Sequence, residues 1–197
     1  MTEKTDIIDS LLGIRPGSKA EALRARRPTT KEHTQKSYEA LFSPEDSSQA
    51  SLAERFAVAL FVAILNDQAD IADFYAGRLT EADARPQLLA AVESVAKSSK
   101  VAGPYGHYPA GPLSSENLDG PTLVIAEPER GVLGSRLAAA LEHAHLLTLH
   151  PRDAAPAHLN KLLTAGWSAT GVVTLSQLVS FLAFQIRIVA GIKVLAA

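Results

Sequence analysis

The chain has 197 residues, of which 47% are hydrophobic and 20% charged, and its formal charge is −2. That length is enough for one domain burying about 70% of its unfolded surface. The composition excludes a disordered chain, and the charge excludes a general nucleic-acid binder. There is no cysteine, so disulfides, thiolate zinc sites and thiol redox chemistry within the chain are excluded. Nothing in the sequence calls for a metal or another cofactor.

In chain order the signals are helical. The start, "MTEKTDIIDSLLG", carries acids where a leader peptide needs a basic end, so a cytoplasmic location is expected. "TDIIDSLLG" reads as a short amphipathic helix ended by Gly13. Arg24, Arg26 and Arg27 form the one basic cluster and read as a solvated face. "TTKEHTQKSYEALF" follows Pro28 as a Thr-capped helix. Ser51 with Glu54 three residues on is a capping box, worth about 1 kcal/mol. Phe56 to Leu65 is apolar on every side and predicts a helix at the centre of a bundle. At ten residues it is too short to span a bilayer.

Asn66 or Asp67 is expected to cap the next helix, which runs to about Leu79. Thr80 with Asp83 is expected to start another, reaching about Lys97, with Pro86 in its first turn. Residues 98–131 are rich in Pro and Gly and cannot be helix; "TLVIA" within them is a candidate extended piece. A loop this long is either a functional cover or a connector between halves. Leu133–Leu149 and Ala157–Ala165 are further helices. Ser168 caps a last one that reaches about Leu195. That helix is long enough to cross a bilayer, but Gln177, Gln185, Arg187 and Lys193 interrupt it, and no membrane span is expected. The chain therefore divides into an N-terminal arm (1–50), a helical unit (51–97), the loop (98–131) and a second helical unit (132–197). Ser51 to Leu79 and Ser168 to Leu195 form a faint repeat, each a Ser cap followed by a long apolar run.

Several constellations could carry chemistry. Gln68, Ile71 and Tyr75 share one helix face by their i, i+3, i+7 spacing. The helix through Leu149 bears His143 and His145, two apart and expected at opposite edges of its apolar face, with Glu142 directed to solvent. His143 and His145, with Tyr75, are the candidate proton carriers. Arg187, on a largely buried helix, needs an acceptor, either a carboxylate of the chain, a partner or an anionic ligand. Gln185 needs a partner if buried. Tyr105, His107 and Tyr108 sit in the loop, where they can cover a pocket or pin the loop down.

Two stretches resemble a known superfamily. "YEALFSPEDSSQASLAERFAVALFVAILND" is similar to the entry to the signature helix of the alkylhydroperoxidase D and carboxymuconolactone decarboxylase superfamily. "LNKLLTAGWSATGVVTLSQLVSFLAFQIRIVAGIKVL" is similar to its C-terminal unit, in which an Ala-Gly-Trp-Ser turn starts a long apolar helix. The match is with its peroxidase-related branch. The resemblance implies an all-α alkylhydroperoxidase D-like bundle of two related helical units, assembled as a homo-oligomer.

In active members it also implies a Cys-x-x-Cys-x-x-x-His site with an upstream Glu. Here the cysteine positions fall on Gln68 and Ile71, the His on Tyr75, and the Glu near Phe56, with Glu54 close by. Thiol peroxidase activity is therefore not expected. The leading expectation is a non-thiol small-molecule-binding protein or the partner of a cysteine-bearing relative. A cofactor-free decarboxylase, isomerase or hydrolase acting on an organic acid is the alternative, and a purely structural subunit the third.

Overall fold

The computed structural model describes residues 6–197. Residues 1–5, the first part of the start read against a leader peptide, lie outside the described residues. The described residues are all-helical, with nine α-helices, two short 3-10 turns and no strand.

The central helix is α4 (Leu52–Leu65), and its origin is local. The Ser51 hydroxyl accepts from the Glu54 N–H, and the Glu54 carboxylate accepts from the Ser51 N–H at 2.8 Å. Beyond this capping box the helix is buried from Arg55 to Ala63. It packs against α5 (Ala69–Ala82), α6 (Pro86–Ser99), α7 (Glu129–Leu149) and α9 (Ala169–Ala196). A helix apolar all round needs neighbours all round.

The joints between helices differ from the sequence reading. Neither Asn66 nor Asp67 caps α5. The Asn66 amide donates back to the Val62 carbonyl at 2.8 Å and so closes α4. Asp67 takes the left-handed conformation at φ +57° and pairs with Lys100. Thr80 does not start α6. It lies in the last turn of α5, its hydroxyl donating to the Ala76 carbonyl at 3.0 Å. Helix α6 opens at Pro86, whose missing N–H costs nothing at a first helical position.

In the N-terminal arm, α1 (Ile7–Leu12) is capped by Asp6 and ends at Gly13, φ +57°. Helix α2 (Lys19–Ala25), capped by Ser18, was not anticipated. Helix α3 (Pro28–Phe42) begins at Pro28 itself with no side-chain cap, so no Thr is used. Arg26 and Arg27 are exposed as expected, but Arg24 is buried. It donates to Asp6 at 2.8 Å and Asp9 at 3.0 Å, tying α2 to α1.

Helix α7 starts earlier than Leu133 but is broken at Gly134 (φ +73°, ψ 159°), so its regular part begins after that residue. Helix α8 (Pro156–Thr164) and the Ser168-capped α9 follow. Helix α9 is a single 28-residue helix, whereas Ser51 to Leu79 holds two helices joined by a turn. By length and composition α9 is apolar enough to cross a membrane. Here it packs against α1 to α4, α7 and α8.

One residue joins three parts of the bundle. Arg136 of α7 donates to the Glu54 carboxylate at 2.6 Å, the Gly166 carbonyl at 2.5 Å and the Gln49 carbonyl at 2.8 Å. Its guanidinium stacks 3.8 Å over Trp167, whose indole N–H donates to the Arg136 carbonyl at 2.9 Å. A planar, always-charged fork suits such a junction as an ammonium would not.

Candidate functional site

The residues aligned with the resemblance's redox motif do not form a site. Gln68 sits at the N-terminal boundary of α5, half-buried, and its amide donates to the Asn66 carbonyl at 3.3 Å. Ile71 is buried in the core. Tyr75 is fully buried among Phe42, Phe56 and Phe74, with its hydroxyl donating to Gln185 Oε1 at 2.7 Å. Burial raises the Tyr75 phenol well above its ordinary pKa, so it stays protonated. Glu54 is held by the capping box and Arg136.

Arg187 corrects the expectation of a buried guanidinium. It is exposed, and donates to the Ala183 carbonyl of its own helix at 2.8 Å. The buried polar group of α9 is Gln185 instead, fully enclosed against Tyr75 with its Nε2 unpartnered. Arg187, Tyr75 and the histidines do not converge.

The histidines do converge. His143, His145 and His150, at 5%, 2% and 3% exposure, line a partly enclosed cavity of about 130 Å³, joined by His158 from α8. Two of these four, His143 and His145, are the candidate proton carriers of the sequence analysis. His143 and His145 were expected at opposite edges of a helix face; both reach the cavity because α8 and the irregular segment wrap that side of α7. Thr122, Leu123 and Val124 form a strap over it, and Ala139, Leu146, Glu142 and Lys161 complete the wall. Among the described residues no group of three or more His, Asp or Glu could hold a metal ion.

The strap is held by a residue read as solvated. Glu142 is half-buried, and its carboxylate accepts from the Ile125 N–H at 2.9 Å and from Arg130 at 3.4 Å. The extended piece "TLVIA" thus pairs with a side chain of α7 rather than with a strand. A carboxylate accepting a backbone N–H was the signal available, since an extended piece without a sheet partner must place its N–H groups somewhere.

Tyr105 and His107 pin the irregular segment and lie outside the cavity wall. Tyr105 stacks on His150 at 5.2 Å between ring centres, and its N–H donates to the Leu149 carbonyl at 2.6 Å. The exposed His107 donates its backbone N–H to Asp153 at 3.0 Å, and its ring contacts Asp119 at 3.1 Å. His150 lies between the Asp153 carboxylate at 3.1 Å and the Pro121 carbonyl at 2.9 Å. Two glycines permit this closeness. A Cβ on Gly120 would lie 2.2 Å from the Tyr105 ring, and one on Gly106 would lie 2.8 Å from the Asp153 carboxylate.

His143 is the buried group with spare hydrogen-bonding capacity on this wall. Its Nε2 lies 3.3 Å from the Ser176 hydroxyl, while its Nδ1 has no partner. Burial, then the nearby His158, hold its pKa below the ordinary imidazole value. Burial does the same for His145, opposed by a hydrogen bond to the Ser99 backbone and aided by His150. Both rings are therefore neutral at pH 7.

No family model matches the chain, and neither a curated protein nor a solved structure does. The fold and this cavity define the class that stands without them, an all-helical bundle with a histidine-walled cavity and no thiol.

Proposed function

We propose that this is a non-thiol small-molecule-binding protein whose site is the histidine-walled cavity between α7, α8 and the 122–124 strap. The observation that carries it is the unpartnered Nδ1 of His143, a residue 5% exposed, on a wall where Glu142 and His150 already have partners. Buried polar groups are almost always satisfied, and one left open beside a cavity fits a ligand that completes it. A cavity of this size takes about one six-membered ring.

Within the same proposal the bundle is a cysteine-free relative of the alkylhydroperoxidase D and carboxymuconolactone decarboxylase superfamily, homo-oligomeric and cytoplasmic. The family reading rests on the Trp167 turn that opens α9 and on the capped α4, apolar from Phe56 onward. The oligomer rests on exposed apolar residues of α9: Val173, Phe184, Val194 and Leu195. The purely structural reading predicts no pocket, and the cavity weighs against it.

A second reading, a cofactor-free enzyme acting on an organic acid, is favoured by one observation. His143 and His145 are held neutral and so are competent as bases. It no longer includes Arg187 as carboxylate anchor.

The test is ligand-observed NMR of the full chain against small ring compounds, repeated on Ala139→Phe, which fills the cavity. Binding to the native chain that Ala139→Phe abolishes is expected. Binding unaffected by that substitution removes the cavity as the site.

A further inference from the structure

The hydrogen bonds around His143 fix what the cavity accepts. The Ser176 hydroxyl has one proton, and it donates it to the Val172 carbonyl at 3.0 Å. With its proton on that carbonyl, Ser176 Oγ is left to accept from His143, an arrangement that assigns the imidazole proton to Nε2. That leaves Nδ1 as a bare lone pair, enclosed and without a partner, which a ligand reaches by displacing the side chains that cover it. His158, on the same wall, has the same tautomer but with the other nitrogen engaged. Its Nδ1 accepts from the Ala155 N–H at 3.2 Å, so its own N–H is on Nε2. Lys161 adds a second donor and has no ion pair among the described residues.

We propose that the cavity takes a small uncharged hydroxyl compound about the size of one ring, a phenol or short branched alcohol, whose O–H donates to Nδ1 of His143. This rests on the cavity being a binding site. A hydroxyl both donates and accepts, and so matches a wall with one open acceptor and two donors. A carboxylate, although Lys161 would attract it, has no proton for Nδ1 and leaves that lone pair unpaired. An ammonium ion would meet Lys161, and the Glu142 carboxylate is already engaged by Ile125 and Arg130. A pure hydrocarbon fills the volume but leaves the lone pair unpaired, which sites built for a hydroxyl discriminate against.

The experiment compares phenol, toluene and benzoate by calorimetry on the full chain and on His143→Phe. It adds long-range ¹H–¹⁵N spectra of the native histidines. We expect a pyridine-type Nδ1 signal for His143 that moves on adding phenol. We also expect the phenol-to-toluene affinity ratio to fall about tenfold in His143→Phe, the equivalent of one ordinary hydrogen bond. If phenol and toluene both bind but the ratio is unchanged, or benzoate binds best, the hydroxyl assignment is overturned while the cavity stands. If none of the three binds, the cavity reading falls and this one with it. Should His143→Phe not fold, the spectra alone decide: an Nδ1 that carries the proton, or does not respond to phenol, overturns the proposal.

Discussion

His143 and His145 are uncharged inside the bundle, and that has a consequence for pH. An imidazole in the unfolded chain titrates near 6.5, whereas burial holds these two lower. Below about pH 6.5 the unfolded chain takes up protons that the folded chain refuses, so stability falls as pH falls toward the folded values. Above that pH their contribution is fully present. Urea midpoints measured from pH 8 down to pH 5 should decline, and His143→Gln with His145→Gln should flatten the decline. Tyr75 and Gln185 offer a second residue-scale expectation. Tyr75→Phe strands the buried Gln185 carbonyl and should cost about 1–3 kcal/mol. Replacing both, Tyr75→Phe with Gln185→Leu, should recover most of that in chemical denaturation, because no polar group is then left unpaired.

Elements are held in place here by a few cross-links rather than by propensity. Arg136 ties the start of α4 to α7 and to the turn before α9. Arg136→Ala is expected to cost about 2–3 kcal/mol, since it leaves Glu54 and two carbonyls without their donor. The chain's one tryptophan lies under that guanidinium, so its emission should shift in the native state of the variant. Ser51→Ala should cost about 1 kcal/mol through the lost cap. The irregular segment has its own test. Gly120→Ala puts a carbon into the Tyr105 ring, so thermal stability should drop and amide exchange around His150 should quicken. Unchanged exchange there would mean that the Tyr105 contact does not hold the segment.

For the whole molecule, the absence of any thiol sets a functional expectation. Purified, metal-stripped protein given an organic hydroperoxide and a dithiol reductant should show no turnover above the blank. A rate that survives would require a chemistry other than thiol exchange, and His143→Gln would be the first variant to assay. The homo-oligomer is tested by sedimentation: Phe184→Glu, on the exposed face of α9, should lower the mass if copies meet there. An unchanged mass would remove that face from any interface.

The all-helical class, the core position of α4, its capping box and the Ser168 start of α9 were legible in the sequence. Each depends on residues within a few positions of one another, through side-chain caps and hydrophobic periodicity. The joints were less so. Asn66 can cap forward or bond backward, and the choice depends on how α4 and α5 meet. Arg187 and Gln185 are two residues apart on one helix. Only the packing of α9 decides that the amide turns inward and the guanidinium outward. The histidine cavity is tertiary for the same reason. His143, His145 and His150 come from α7 and its end, His158 from α8, and the strap is held by Glu142 across 17 residues. Local chemistry determined which segments are helices. Contacts between segments distant in sequence decided which polar groups lose water, and with that where a ligand can be held.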